Sequence, residues 1–269
     1  MADVKTQLNY SVDNGREIDY YFFEPAQDVK LNPPGTDVQD VVIRDGWSQA
    51  ESFSLDAEGF AIKSFDGGFR QFDNEEAITS LLYPQVIEFI KKQTGARRVE
   101  IFDKTIRQRL PDDLSQQTEE HRPAVLLVHS DYTPRSGPAR VRDILPEDAD
   151  ELLTGRVVFY NFWKSLYDVV EELPLACCDA RSSIDEDMLL MNLKYSDRTG
   201  EIYVLRHSPD HKWWYFPKMS ADHALLLKTY DSEIDGRARF MGHSAFEDPT
   251  TPVGAQPRQS IEIRTMAFF

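Results

Sequence analysis

The segment PAVLLVHSDYTP, Pro123–Pro134, ends an apolar run in an imidazole and a carboxylate two residues apart. In an extended chain, positions i and i+2 project from one face, so His129 and Asp131 can converge on a single ion while Ser130 faces away. Imidazole plus carboxylate, completed by a second histidine, is the facial ligand set of mononuclear non-haem Fe(II), which leaves three coordination positions open. His-x-Asp also arises by chance, and a capped core strand explains it too. Its place where a strand gives way to a loop favours the ligand reading.

A third ligand has several sources. His121 lies in a polar stretch, His207 and His211 flank a turn, and His223 opens a segment with helical features. His243 closes RARFMGH, a second apolar run that terminates in an imidazole. It is the first choice, with His211 second. Beyond it, PRQSIEIR sets Arg258 and Ser260 at strand spacing. A guanidinium presents a rigid fork of donors to a carboxylate, and a hydroxyl can add one more bond. The pair suits the distal carboxylate of a dicarboxylic co-substrate. Arg264, at even spacing from Arg258, is the alternative anchor.

These groups need rigid elements to carry them. From Pro123 onward strand-like runs recur: AVLLVH, RVVFYNFW, MLLMNLKYS, EIYVLRH, RARFMGH and SIEIRTMAFF, with DRTG as a hairpin turn between the third and fourth. The only helical segments among them are brief, PEDADELL and SADHALLLK, the latter with Ser220 as its N-cap. Earlier, DYYFFEP, VVIRD, GFAIKSF and RRVEIFDK read as strands. NEEAITSLLYPQVIEFIKKQTG reads as a helix, acidic at its front, basic and Gly-terminated at its end, and interrupted by Pro84. Consecutive strands with few helices predict a mainly β fold with flanking helices, an antiparallel sandwich or barrel. No linker divides the chain, so residues 1–269 are expected to form one domain, with 1–122 as strand and helix packaging around a metal-binding core over 123–269.

Composition narrows the function classes. A chain of 269 residues, 41% hydrophobic and 12% aromatic, is ordered and large enough for a substantial core. Its formal net charge of −16, from 46 acidic and 30 basic residues, argues against nucleic-acid or anionic-membrane binding. No apolar run reaches bilayer-spanning length, and the N-terminus has no signal-peptide core. The only cysteines, Cys177 and Cys178, are adjacent and build no disulfide framework. The expectation is a reduced, cytoplasmic protein acting on a small-molecule substrate, its oligomeric state left open, a homodimer included.

Six ordered blocks, VHSDYTPRSGPARVRDILP, VVFYNFWKSL, PLACCDARS, WWYFPKMSADHALLLKTYDS, GHSAFEDP and PRQSIEIR, resemble the fungal and bacterial CmcJ/AsaB-like hydroxylase/desaturase family, which includes gibberellin desaturase-like proteins. The resemblance covers Pro123 to the C-terminus and, less clearly, the N-terminal part. It implies a double-stranded β-helix (jelly-roll, cupin-like) core. It also implies oxidation of a small secondary metabolite by Fe(II), 2-oxoglutarate and O2, as hydroxylation, desaturation or oxidative cyclisation, with release of succinate and CO2. Carried over by motif, His129, Asp131 and His243 would be the iron ligands, Arg258 the 2-oxoglutarate anchor and Ser260 its helper.

The chain departs from the family at one block. Where the family reads Asn-x-Trp-Arg, this sequence has Asn161, Phe162, Trp163 and Lys164, and a lysine cannot make the same bidentate contact. The long separation of Asp131 from His243 points to an insertion around 164–235 that shapes the substrate pocket. Asn161 and Trp163 share a strand face and can line the cavity, Asn161 beside the co-substrate. Tyr132, Trp163, Lys164, Arg181, Trp214 and Tyr215 are candidate substrate contacts, each set against an ordinary packing or ion-pair role. Lys228 and Asp231 read as an ion pair. Two other readings compete: a metal-dependent hydrolase with the same ligands, and a non-enzymatic β-sandwich binding protein with structural histidines.

Overall fold

Two curled sheets pack face to face in the computed structural model, which describes residues 2–65, 68–108, 121–166 and 169–269, with His121 by its backbone alone. The larger sheet runs in the order β1 (Val4–Tyr10), β3 (Asp37–Asp45), β12 (Trp213–Tyr215), β9 (Leu175–Cys178), β14 (His243–Ala245), β7 (His129–Ser130), β11 (Thr199–Leu205), β10 (Met188–Lys194), β2 (Ile18–Tyr21). The smaller runs β4 (Phe60–Ser64), β13 (His223–Asp231), β8 (Val157–Ser165), β15 (Gln259–Phe268), β5 (Arg98–Gln108), β6 (His121–Arg122). Most neighbours are antiparallel, as expected. Three pairs, β2 on β10, β12 on β3 and β6 on β5, run parallel. Strands from the first 122 residues are built into both sheets.

The larger sheet curls back on itself. A bridge between Asn9 and Leu127, with the Val128 N–H donating to the Asn9 carbonyl at 2.9 Å, brings β1 beside the segment ahead of β7. Tyr10, Ile43, Val128, Trp213 and Phe246 fill the fold-back. Its other face meets the smaller sheet through Leu175, Cys177 and Met241 against Phe60, Ile62, Trp163 and Leu225. The outcome is the jelly-roll sandwich. The outer face of the smaller sheet, with Tyr160, Phe162, Leu226, Ile261 and Ile263, is closed by Ile78, Leu82, Val86 and Ile90, each such burial contributing ~1.5–3 kcal/mol.

That helical cover follows its sequence signals. Asn74 caps α1 (Glu75–Ala77) by accepting the Ala77 N–H at 3.1 Å, and a π-turn over Ile78–Leu82 leads into α2 (Tyr83–Thr94). Pro84 sits in the first turn of α2, where its missing N–H breaks the hydrogen-bond ladder and resets it. Gly95 ends α2 with φ +77°, the left-handed conformation that suits glycine. Two shorter helices, α3 (Ser136–Ile144) and α4 (Ala149–Leu152), follow β7.

Three expected elements differ. AVLLVH is not a continuous strand: it passes between β1 and β11, so His129 opens the two-residue β7 rather than ending a long strand. RARFMGH is irregular up to Gly242, because Arg237 is tied to Asp235 and Arg239 to the Asp231 carbonyl; His243 opens β14. SADHALLLK is not a helix but the start of β13, buried on both faces between β4 and β8, and Ser220 turns the chain by bonding His223 Nδ1 at 3.0 Å. A continuous apolar run fits a central strand as well as a short buried helix.

Lys228 and Asp231 do pair. The Lys228 ammonium, wholly buried, bonds Asp231 at 2.8 Å and Asp56 at 2.5 Å, and Arg156 adds a 2.6 Å bond to Asp231. Removing one partner of such a pair leaves the other charged and desolvated. Lys228→Ala is expected to lower unfolding free energy by about 3 kcal/mol in urea denaturation. Lys63→Ala, which removes an exposed pair with Glu51, should change it by less than about 1 kcal/mol.

Candidate metal centre

The site begins with one rung of the larger sheet. His129 on β7 and His243 on β14 are direct cross-strand partners, so their side chains leave the same face. The row continues through Cys177 on β9 to Trp214 on β12. The two imidazole rings lie 4.3 Å apart between centroids, and Asp131 Oδ1 is 3.7 Å from His129 Nε2. One ligand atom from each of His129, Asp131 and His243 falls within 4.8 Å of the others. Close approach of the backbone makes the row possible: a Cβ on Gly242 would lie 2.9 Å from Leu205 Cδ2, and the Gly242 carbonyl accepts the Cys178 N–H at 2.8 Å.

Each histidine is oriented by the carbonyl two residues before it. His129 Nδ1 bonds Leu127 O at 2.7 Å, and His243 Nδ1 faces Met241 O at 3.4 Å. With Nδ1–H donating, Nε2 keeps its lone pair, the usual outer-shell device for a metal-binding imidazole. Burial, reinforced by the neighbouring His243 and opposed by Asp131, lowers the His129 pKa to about 4, so the ring is neutral. Asp131 Oδ2 is buried and makes no hydrogen bond. A desolvated carboxylate oxygen without a donor, beside two imidazoles, fits a bound divalent cation. Cys177, next in the row, has its thiol pKa pushed far up by burial, which keeps it from acting as a thiolate.

Across the sandwich, β15 and β8 supply the opposite wall. Alternation places Arg258, Ser260, Glu262 and Arg264 on one face, with Asn161 and Trp163 facing the same way by register. Arg258 is 4% exposed, lies 5.8 Å over the Trp163 ring, and donates to Leu173 O at 2.6 Å. It forms no ion pair among the described residues. Burial first, and the charge of Arg107 second, pull its pKa down to about 10. On the same face, Ser260 Oγ, both amide atoms of Asn161 and Trp163 Nε1 are buried without hydrogen bonds, Asn161 lying opposite Arg264 in the register. A desolvated guanidinium among unsatisfied donors is a cradle for a carboxylate. Arg264 is already engaged, 2.9 Å from both Glu262 and Asp103 and 3.0 Å from Thr105.

Two residues of this wall escape a reading of motifs. Glu262 bonds Arg107 at 3.0 Å and Arg264 at 2.9 Å. Burial works against its charge, but the two guanidiniums hold its carboxyl well below the usual carboxylate range. The parity of Ser260, Glu262 and Arg264 was a signal for Glu262. Arg107 had none, because β5 meets β15 only through long-range pairing.

The remaining expected residues divide. Tyr132 packs 4.7 Å from Phe159 and lines a cavity of about 810 Å3 that opens onto His129, Asp131 and Arg264. Trp214 keeps to the inner face, 5.1 Å from Phe53. Three expected substrate contacts lie elsewhere. Lys164 alternates to the outer face of β8, its ammonium 5.5 Å over the Phe72 ring beneath the helical cover. Tyr215 points away from Trp214 into the fold-back core, 5.3 Å from Phe246. Arg181, 59% exposed, pairs with Asp179 and Glu58. His211, the second choice for a ligand, uses its nitrogens on Asp187 at 3.3 Å and Tyr10 at 3.2 Å. The side chain of His121 lies outside the described residues.

Comparison with known proteins agrees with this geometry. A family model described as an oxidoreductase/YMDC permease-like domain matches residues 8–268. The hydroxylase/desaturase efuI of Hormonema carpetanum is 32% identical over 251 residues, covering 86% of this chain and 84% of the relative. The alpha-ketoglutarate-dependent dioxygenase phiK of a fungal species is 31% identical over 252 residues, covering 90% and 88%. Among solved structures, the iron and alpha-ketoglutarate-dependent endoperoxidase NvfI superposes with a TM-score of 0.89 at 24% identity, covering 99% of this chain and 98% of that one, a likeness of fold. The chain belongs to the hydroxylase/desaturase family of Fe(II)/2-oxoglutarate-dependent dioxygenases, which are oxidoreductases.

Proposed function

We infer that the protein oxidises a small organic metabolite at a centre formed by His129, Asp131 and His243, with 2-oxoglutarate held by Arg258. The observation that carries this reading is a pair of buried groups: the carboxylate oxygen of Asp131 that makes no hydrogen bond, beside two imidazoles, and the Arg258 guanidinium, which forms no ion pair among the described residues. A hydrolytic reading accounts for the first and gives no role to the second. When bound, iron and 2-oxoglutarate supply the activation of O2, with decarboxylation of the co-substrate to succinate and CO2.

The protein's own residues bind, orient and exclude water. His129 and His243 present Nε2 in a fixed tautomer, and Asp131 contributes negative charge. Arg258, braced on Trp163, receives the distal carboxylate, and Ser260 and Asn161 satisfy its remaining lone pairs. The Arg107–Glu262–Arg264 chain stiffens the wall between the co-substrate side and the open cavity. Tyr132 and Phe102 give that cavity an apolar, water-poor lining near the metal side chains. Hydroxylation, desaturation and cyclisation differ by placement of the substrate over the same groups.

The inclusion of early strands in both sheets supports reading residues 1–269 as a single oxygenase domain. Two free, buried cysteines support a cytoplasmic setting. No helix among the described residues is long and apolar enough to cross a membrane.

Three variants separate the parts of the site. His129→Ala and Asp131→Ala should each reduce Fe(II) retention, measured as metal content after anaerobic gel filtration, by at least about tenfold. Wild-type metal content in both would contradict the ligand assignment. Arg258→Ala should keep its iron while its apparent 2-oxoglutarate affinity falls about 100-fold, the loss of a buried charge-assisted contact worth roughly 3 kcal/mol. If Arg264→Ala alone shows that loss, the anchor is Arg264.

A further inference from the structure

The cavity that opens onto His129 and Asp131 is more basic than the rest of the chain. Six arginines line it, in a protein of net charge −16. Three are neutralised: Arg107 by Glu262, Arg135 by Glu201 and Arg264 by Asp103. The other three, Arg122, Arg140 and Arg198, form no ion pair among the described residues. Against them stand Asp131, committed to the triad, and Asp143, exposed at the rim.

Two of these unpaired arginines rest on aromatic rings. Arg140 on α3 is half-buried, 5.3 Å over Phe102, whose ring lies 6.4 Å from Tyr132, the neighbour of Asp131. Arg198, in the β10–β11 turn, lies 4.4 Å over Tyr195, which stacks on Phe22 at 4.4 Å and 4°. An aromatic face orients a guanidinium without using its N–H donors. The remaining walls are mostly aliphatic and aromatic, and about 810 Å3 accommodates a drug-sized molecule.

We propose that the substrate is a largely apolar carboxylic acid, its carboxylate received by Arg140, with Arg122 and Arg198 drawing it into the cavity. The proposal rests on the reading of this cavity as the substrate chamber of the oxygenase. A carboxylate suits it better than a phosphate. The amides of Ser136 and Gly137 at the start of α3 already bond the Thr133 hydroxyl and carbonyl, and residue 138 is proline. No cradle of free amides is left for a phosphate there. A positive cavity in an acidic protein also focuses anions toward the site.

The test uses matched probes, 2-naphthoic acid and abietic acid, each against its methyl ester. Their binding to the full-length protein, anaerobically loaded with Fe(II) and 2-oxoglutarate, is followed by tryptophan fluorescence. At least one acid should bind about tenfold or more tightly than its ester. Arg140→Gln should reduce that preference below about threefold with ester affinity unchanged, and Arg140→Lys should restore part of it, which a packing defect would not. Equal affinities for acid and ester, no binding by either acid, or a preference that survives Arg140→Gln would overturn the proposal. Succinate release from the same preparations in air is read separately. Its absence would count against the oxygenase reading, whatever the acid preference.

Discussion

His129 and His243 face each other because β7 and β14, two and three residues long, pair at a single rung. Much else in the molecule serves that contact. Gly242 lets the chain approach Leu205 closely enough for β14 to lie between β7 and β9. The carbonyls of Leu127 and Met241, each two residues upstream, set both rings with the same nitrogen exposed. Such short strands could not hold a register alone. The fold-back of β1 over the Leu127 segment, and the buried rows on either side, hold it for them.

The opposite wall is a problem of charge in a low-dielectric space. Buried ion pairs are weak contributors to stability, since desolvation offsets most of their attraction. The chain Arg107–Glu262–Arg264–Asp103 is better understood as a device that fixes positions. It pairs both charged residues of β15, Glu262 and Arg264, and leaves Arg258, just ahead of the strand, without an ion pair among the described residues. On the same face, Ser260, Asn161 and Trp163 carry buried polar atoms without hydrogen bonds. The sandwich thus has a saturated centre between an unsatisfied anion cradle and an open, arginine-bearing cavity.

Much of the site was legible in the sequence, for physical reasons. Period-two alternation puts His129 with Asp131, and Arg258 with Ser260, on common faces whatever the strand pairing. The same rule, applied to β8, separates Lys164 from Trp163, and it removes the lysine from the cavity despite its place in a family block. What sequence could not supply is non-local. Arg107 reaches Glu262 only because β5 pairs with β15, and Tyr215 points into a core created by the fold-back of the larger sheet. Apolar runs misled at β13, where a buried central strand carries no period, and at 237–242, where Arg237 is ion-paired and Arg239 bonds the Asp231 carbonyl outside any ladder.

The most direct test of the account is a crystal structure obtained after anaerobic soaking with Fe(II) and 2-oxoglutarate, with anomalous scattering recorded at the iron edge. The account predicts one anomalous peak within bonding distance of His129 Nε2, His243 Nε2 and an Asp131 oxygen, with the distal carboxylate of 2-oxoglutarate on the Arg258 guanidinium. An iron peak away from these three side chains, or a co-substrate seated on arginines of the open cavity, would contradict it.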